Sequence, residues 1–118
     1  MKQYANYVYD ILLKLGFKAN IPGTSYFKDL ILNFMLYENE KVMKNRFKII
    51  GVNNGVKYSQ VERAIRYAIN TSWKTVYTIL YEYFPDLDIE KKTDYTRLAH
   101  TLIHLLKNPD LLERVISI

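Results

Sequence analysis

Between positions 59 and 74 the chain sets out side chains able to grip or read a nucleic acid: Ser59, Gln60, Glu62, Arg63, Arg66, Asn70 and Lys74. An arginine offers two parallel donors to a guanine edge or a phosphate. A glutamine matches the acceptor and donor of an adenine, and a glutamate accepts from a cytosine amino group. Gln60, Glu62, Arg63 and Arg66 are therefore the candidate base readers. Ser59, Asn70 and Lys74, with Lys48 and Lys57 upstream, suit phosphate oxygens.

On a helix at about 100° per residue, Val61, Ala64, Ile65, Ala68 and Ser72 gather on one side. Ser59, Arg63, Arg66 and Asn70 gather opposite, with Lys74 close by and Gln60 and Glu62 flanking them. One side packs on a core while the other is free to enter a major groove. An ordinary amphipathic surface helix satisfies the same pattern. Glu62 also has two readings, because Ser59-x-x-Glu62 spells a capping box that satisfies backbone donors at a helix start.

Other chemistry is poorly represented. His100 and His104 stand four apart, as two metal ligands can, but position 101 is threonine and no His-Glu-x-x-His site forms. Asp86, Asp88 and Glu90 alternate like part of a calcium loop without its glycine and terminal glutamate. No glycine-rich phosphate loop, nucleophile–base set or carboxylate pair is present, so neither catalysis nor a metal or cofactor is expected. Trp73 and Tyr67 read as packing or rim residues rather than stacking platforms.

These side chains need a scaffold, and 118 residues supply one core. Apolar content of 49% excludes a disordered chain, and the absence of cysteine excludes a disulfide framework or a Cys-ligated zinc. No apolar run approaches the roughly 20 residues of a membrane span, and the start lacks a signal-peptide pattern. A cytoplasmic protein without membrane association is expected.

The net charge of +5 is unevenly placed. In residues 1–40 the charges cancel. Residues 41–74 hold Lys41, Lys44, Arg46, Lys48, Lys57, Arg63, Arg66 and Lys74 against Glu62 alone. Residues 75–118 are slightly acidic. The excess thus sits on the segment proposed to meet phosphates.

Periodicity predicts an all-α single domain of about six helices, with no strand. Lys2 to Leu15 reads as a first helix closed by Gly16, with Pro22-Gly23 as a turn and Thr24 or Ser25 capping a second helix. Phe47 to Asn54 reads as a short helix stopped by Gly55, with Glu40 to Arg46 leading in. Gly51 is small where two helices cross, Gly55 makes the corner and Val61 plugs the second helix onto the first. This is helix-turn-helix spacing over about 44–73, shared with plain helical hairpins. A helix from about Lys74 to Phe84 follows, continuous with or kinked from the one before it. A closing helix spans about 93–107, capped by Thr93 or Asp94 and broken at Asn108-Pro109. The apolar tail Leu111–Ile118 is left to add a helical turn or to contact another subunit.

Ser59-Gln-Val-Glu-Arg-Ala-Ile-Arg-Tyr-Ala-Ile and the following Trp73 closely resemble the recognition-helix segment of the C-terminal DNA-binding domain of the sporulation stage-zero response regulator family. Leu12 to Ile31 and Lys92 to Leu106 are similar to that family's opening and closing helices, so the resemblance covers roughly residues 1–107. It implies a transcriptional regulator whose helix 58–73 enters the major groove of promoter DNA at short boxes while residues 44–54 brace the backbone. It further implies a tandem homodimer on adjacent boxes and contact with RNA polymerase or its sigma factor. In the family the glutamate matching Glu62 lies at the DNA interface, and an arginine that reads guanine stands where this chain has Gln60. A shift from G·C toward A·T is expected at that pair.

The family's regulators place a phosphorylatable receiver domain before this one, and the present chain has no room for it. The expected form is the effector domain by itself, either a stand-alone relative or a fragment. Two rivals share parts of the pattern. One is a protein-interaction module that modulates a sigma factor or a full-length relative; the other is an RNA-binding helical domain.

Overall fold

In the first helix, α1 (Lys2–Lys14), the apolar period buries Val8, Ile11 and Leu12 and leaves Tyr4 at the surface. Gly16 ends it with φ 109°, and the amide of Phe17 turns back to the carbonyl of Leu12 at 3.0 Å. The computed structural model describes residues 2–91 and 94–117.

The second helix, α2 (Pro22–Leu36), starts earlier than expected. Pro22-Gly23 is its first turn and not a separate bend, because proline already has a helical φ and lacks only an N–H that a first turn leaves unused. Thr24 does not cap it; buried, its hydroxyl donates to the carbonyl of Lys18 at 2.6 Å and ties down the connection.

The third helix, α3 (Met43–Asn54), incorporates most of the stretch expected to lead into it. Gly55 stops it in the left-handed region, φ 69°. After the turn Gly55-Val56-Lys57, α4 (Tyr58–Leu80) runs unbroken for 23 residues, so of the two arrangements expected at Lys74 the continuous one is present, ending at Leu80 rather than near Phe84. The last two are α5 (Tyr95–Leu106) and α6 (Pro109–Ile116). Asp94 caps α5, accepting from the amide of Arg97 at 2.8 Å; the other candidate, Thr93, lies outside the described residues. Of the tail after Asn108, Pro109–Ile116 forms α6, which buries Leu112 and Val115 in the same core.

All six helices wrap one core, with no strand among the described residues. The radius of gyration is 13.6 Å, against about 13.5 Å for a single domain of this length. The central strut is α4, packed chiefly on α2 and then α3. Close approach to α2 depends on Gly23, where a Cβ would lie 1.9 Å from the carbonyl oxygen of Ala64. Gly51 has a different role from the one expected. A Cβ there would meet the carbonyl of Val56 at 2.5 Å, so it makes room for the turn backbone rather than for a helix crossing. Val61 is fully buried where α4 leaves that turn.

Candidate nucleic-acid interface

Burial of Val61, Ile65, Ala68, Ile69, Ser72, Trp73 and Val76 fixes the rotation of α4, and its opposite face stands open. On that face Ser59, Gln60, Arg63, Arg66, Asn70 and Lys74 are all exposed. Trp73 faces inward and donates from Nε1 to the carbonyl of Ile89 at 3.2 Å, while Tyr67 is exposed on the polar side.

The start of α4 differs from the capping box read in the sequence. The N-cap is Lys57, and Gln60 occupies the third helical position, where its Oε1 accepts from the backbone N–H of Lys57 at 3.0 Å. Only this half of the box is chemically available, since an ammonium has no acceptor. Ser59 lies one residue inside the helix and is exposed. Glu62 is thereby released from capping.

Glu62 is engaged elsewhere. Its Oε2 accepts from Nη2 of Arg66 at 3.0 Å, one turn on, and from the phenol of Tyr95 on α5 at 2.8 Å. The guanidinium of Arg66 also lies 4.9 Å from the centre of the Tyr95 ring. The phenol and then the guanidinium hold the Glu62 carboxyl below the usual carboxylate range, so it is ionised at neutral pH. Burial, followed by the bond to Glu62, pushes the Tyr95 phenol up, leaving it a donor.

Beside this cluster, Lys44 and Lys48 are exposed one turn apart on α3, and Nζ of Lys44 sits 5.0 Å from the centre of the Tyr58 ring. That contact brings the basic side of α3 next to the first turn of α4. Of the eight cations in residues 41–74, Lys41, Lys44, Lys48, Lys57, Arg63 and Lys74 are exposed and make no salt bridge among the described residues.

Arg46 departs from that set. It is only 2% exposed, and burial lowers its pKa from the ordinary guanidinium value. Nη1 donates to the backbone and side-chain oxygens of Asn33 at 3.2 and 2.7 Å, and Nη2 donates to the carbonyls of Tyr37, at 3.0 Å, and Glu40. The Phe34 ring lies under it, 4.3 Å away. Asn33 and Tyr37 stand at the C-terminal end of α2, where a cation suits the negative end of a helix dipole. Arg46 closes α2 and is unavailable to phosphate.

The histidines of α5 are each paired with an aromatic: His100 with Phe34 at 4.8 Å between ring centres, His104 with Phe84 at 6.3 Å. Asp88 closes a local turn by accepting from the amide of Glu90 at 2.9 Å. No helix among the described residues is long and apolar enough to cross a membrane.

Tyr95 is the site residue that sequence reasoning missed. Its partner lies 33 positions away, beyond any helical or turn spacing. Lys57 caps α4, Ser59, Gln60, Glu62, Arg63 and Arg66 lie in its first half with Asn70 and Lys74 further along, and Lys48 is exposed on α3.

A family model described as Sporulation initiation factor Spo0A C terminal matches residues 8–115. Searches of curated proteins and of solved structures give no match. With nearly the whole chain inside the family match, and an all-helical fold to go with it, the protein belongs to the family of Spo0A C-terminal domains, the DNA-binding domains of sporulation regulators.

Proposed function

We propose that this chain binds duplex promoter DNA sequence-specifically, with the first half of α4 in the major groove and α3 bracing the backbone. The observation that carries it is the open face of α4, where, among the described residues, exposed donors stand without carboxylate partners apart from the single pair Glu62–Arg66. A solvated surface helix normally alternates acids and bases; this one presents cations and amides to a polyanion.

Position along the helix divides the roles. At 1.5 Å per residue, Asn70 and Lys74 lie roughly 10 and 16 Å beyond Arg63, comparable with or exceeding the roughly 12 Å width of the major groove. Gln60, Glu62, Arg63 and Arg66 are therefore the base readers. Asn70 and Lys74 reach the phosphates at the groove's far edge, and Lys48, Lys57 and Ser59 those at the near edge. The family reading extends this proposal to two copies on adjacent boxes and to contact with RNA polymerase or a sigma factor.

Selection of duplex sites from a random pool, followed by titration at two salt concentrations, tests the proposal. A recovered motif with a steep loss of affinity in salt is the expected result. Equal binding of all sequences, or preference for single-stranded RNA, would remove the base-reading assignment.

A second reading has one observation behind it. Between α1 and α2 an almost wholly apolar groove of about 380 Å³ is lined by Lys2, Tyr4, Ala5, Leu32, Met35 and Leu36, with Leu36 59% exposed. An interaction module would use such a surface and would bind neither duplex nor RNA in the same titration.

A further inference from the structure

Glu62 presents a physical problem for any helix that approaches DNA. A carboxylate brought beside phosphates is repelled unless a cation accompanies it, and a free glutamate side chain must lose its rotamer freedom on binding. Both difficulties are met by the contacts already described. Arg66 neutralises the carboxylate from one turn away, and Tyr95 reaches across from α5 to fix it.

The arrangement is selective at the level of single atoms. Both donors use Oε2 of Glu62, and Oε1 accepts no hydrogen bond among the described residues. Arg66 likewise commits only Nη2, leaving its other donors for a phosphate or a base. The Glu62 side chain keeps about 35% of its surface, so the cluster is accessible and not sealed. Tyr95 is itself held, since its ring meets Phe47 of α3 edge-on at 5.4 Å and 83°. It begins α5 directly after the Asp94 cap. The residue therefore stands at the meeting point of α3, α4 and α5 with its hydroxyl on Glu62 and its ring face on Arg66.

We propose that Tyr95 is a positioning residue for base reading: from the closing helix it holds Glu62 and Arg66 in the geometry with which Glu62 accepts from the amino group of a cytosine. This rests on the DNA-reading assignment above and adds to it a specificity determinant that never touches DNA. Affinity for DNA at large does not depend on the phenol, because the exposed Lys48, Lys57 and Lys74, with Ser59 and Asn70, supply the phosphate contacts. Discrimination at the pair facing Glu62 does.

The test uses the full chain on its selected duplex, on the same duplex with that cytosine-bearing pair exchanged, and on random duplex. The variants are Tyr95→Phe, Glu62→Gln and the double substitution. Tyr95→Phe keeps the ring under Arg66 and removes only the hydroxyl. It is expected to lower the discrimination ratio at that pair roughly five- to tenfold, with random-duplex affinity and melting midpoint unchanged. The double variant is expected to discriminate no worse than Glu62→Gln alone. An unchanged ratio in Tyr95→Phe overturns the proposal. So does a ratio that falls in step with random-duplex affinity and melting midpoint, since that marks a merely structural tie, and so do additive losses in the double variant. The unmodified chain is measured first. If it shows no duplex preference, the DNA reading itself fails and this inference with it, whereas a preference that survives Tyr95→Phe sinks the inference alone.

Discussion

Around Arg46, at the C-terminal end of α2, carbonyl oxygens and an aromatic ring enclose a guanidinium almost completely; along the outer face of α4, Arg63 stands in solvent with no carboxylate near it among the described residues. Both come from the one basic segment of the chain. Burying an unpaired cation is costly, and what offsets that cost at Arg46 is the set of oxygens from Asn33, Tyr37 and Glu40 that accept from its guanidinium. No comparable set of acceptors lies beside Arg63 among the described residues, so its charge stays outside. A basic run is thus a mixture of buried structural cations and solvent-facing ones, and the local supply of acceptors separates them.

The sharpest way to break this comparison is to truncate both arginines. Arg46→Ala leaves the carbonyl of Glu40 and the side-chain oxygen of Asn33 without their guanidinium donor, takes one of two donors from the carbonyl of Tyr37, and opens a void beside Phe34. A loss of roughly 2–5 kcal/mol in a urea melt is expected. Arg63→Ala is expected to melt like the unaltered chain. If both melted alike, Arg46 would not be the closure of α2.

The next largest effect concerns the framework that turns the open face outward. Gly23→Ala places a methyl against the backbone carbonyl of Ala64, which has no side-chain freedom with which to yield. The expected loss is about 1–3 kcal/mol. Gly55→Ala makes a useful contrast, since a Cβ there meets nothing within 4 Å and the cost is only that of a left-handed backbone at φ 69°. Equal stability of Gly23→Ala and the unaltered chain would mean that α2 and α4 do not meet so closely.

What was legible in the sequence follows the range of the interactions concerned. The helical class, the corner at Gly55, the burial of Val61 and the outward set on α4 are all written in spacings of a few residues, where periodicity and glycine conformation act directly. The start of α2 was misplaced because Pro22-Gly23 serves equally as turn punctuation and as a first helical turn. What decides between them is the tertiary approach of Ala64. The capping box at Ser59 was misassigned because α4 begins two residues earlier than a cap at Ser59 implies, which moves the third-position role from Glu62 to Gln60. Arg46 and Tyr95 were misjudged or missed for a common reason: their partners lie 6 to 13 and 33 positions away, and no local pattern carries that information.

On the ligand side the contrast is between two kinds of exposed cation. Arg63→Ala is expected to cost about 1–3 kcal/mol on a selected site and to relax discrimination at one base pair. Lys48→Ala is expected to weaken every duplex alike and to flatten the salt slope by about one unit. Competition binding with the selected site and a scrambled one separates them. A uniform loss in Arg63→Ala would move that arginine to the phosphates and rotate the assumed seating of α4.

The smallest expected effect is at Gln60, where two roles compete for the same atoms. In the free protein its Oε1 accepts from the backbone of Lys57 and closes the start of α4. To match an adenine with both amide groups it must give up that bond, so part of any gain at the base is lost at the helix end. Gln60→Arg removes the acceptor and supplies two donors suited to guanine. The variant is therefore expected to melt slightly earlier, by a few tenths of a kcal/mol to about 1 kcal/mol. It is also expected to shift preference at the facing pair from A·T toward G·C by about 1 kcal/mol, at the lower end for a bidentate contact. Two duplexes differing only at that pair, in competition against both proteins, measure the shift. An earlier melt with no change of preference would leave Gln60 as a helix cap alone and assign the reading of the site to Glu62, Arg63 and Arg66.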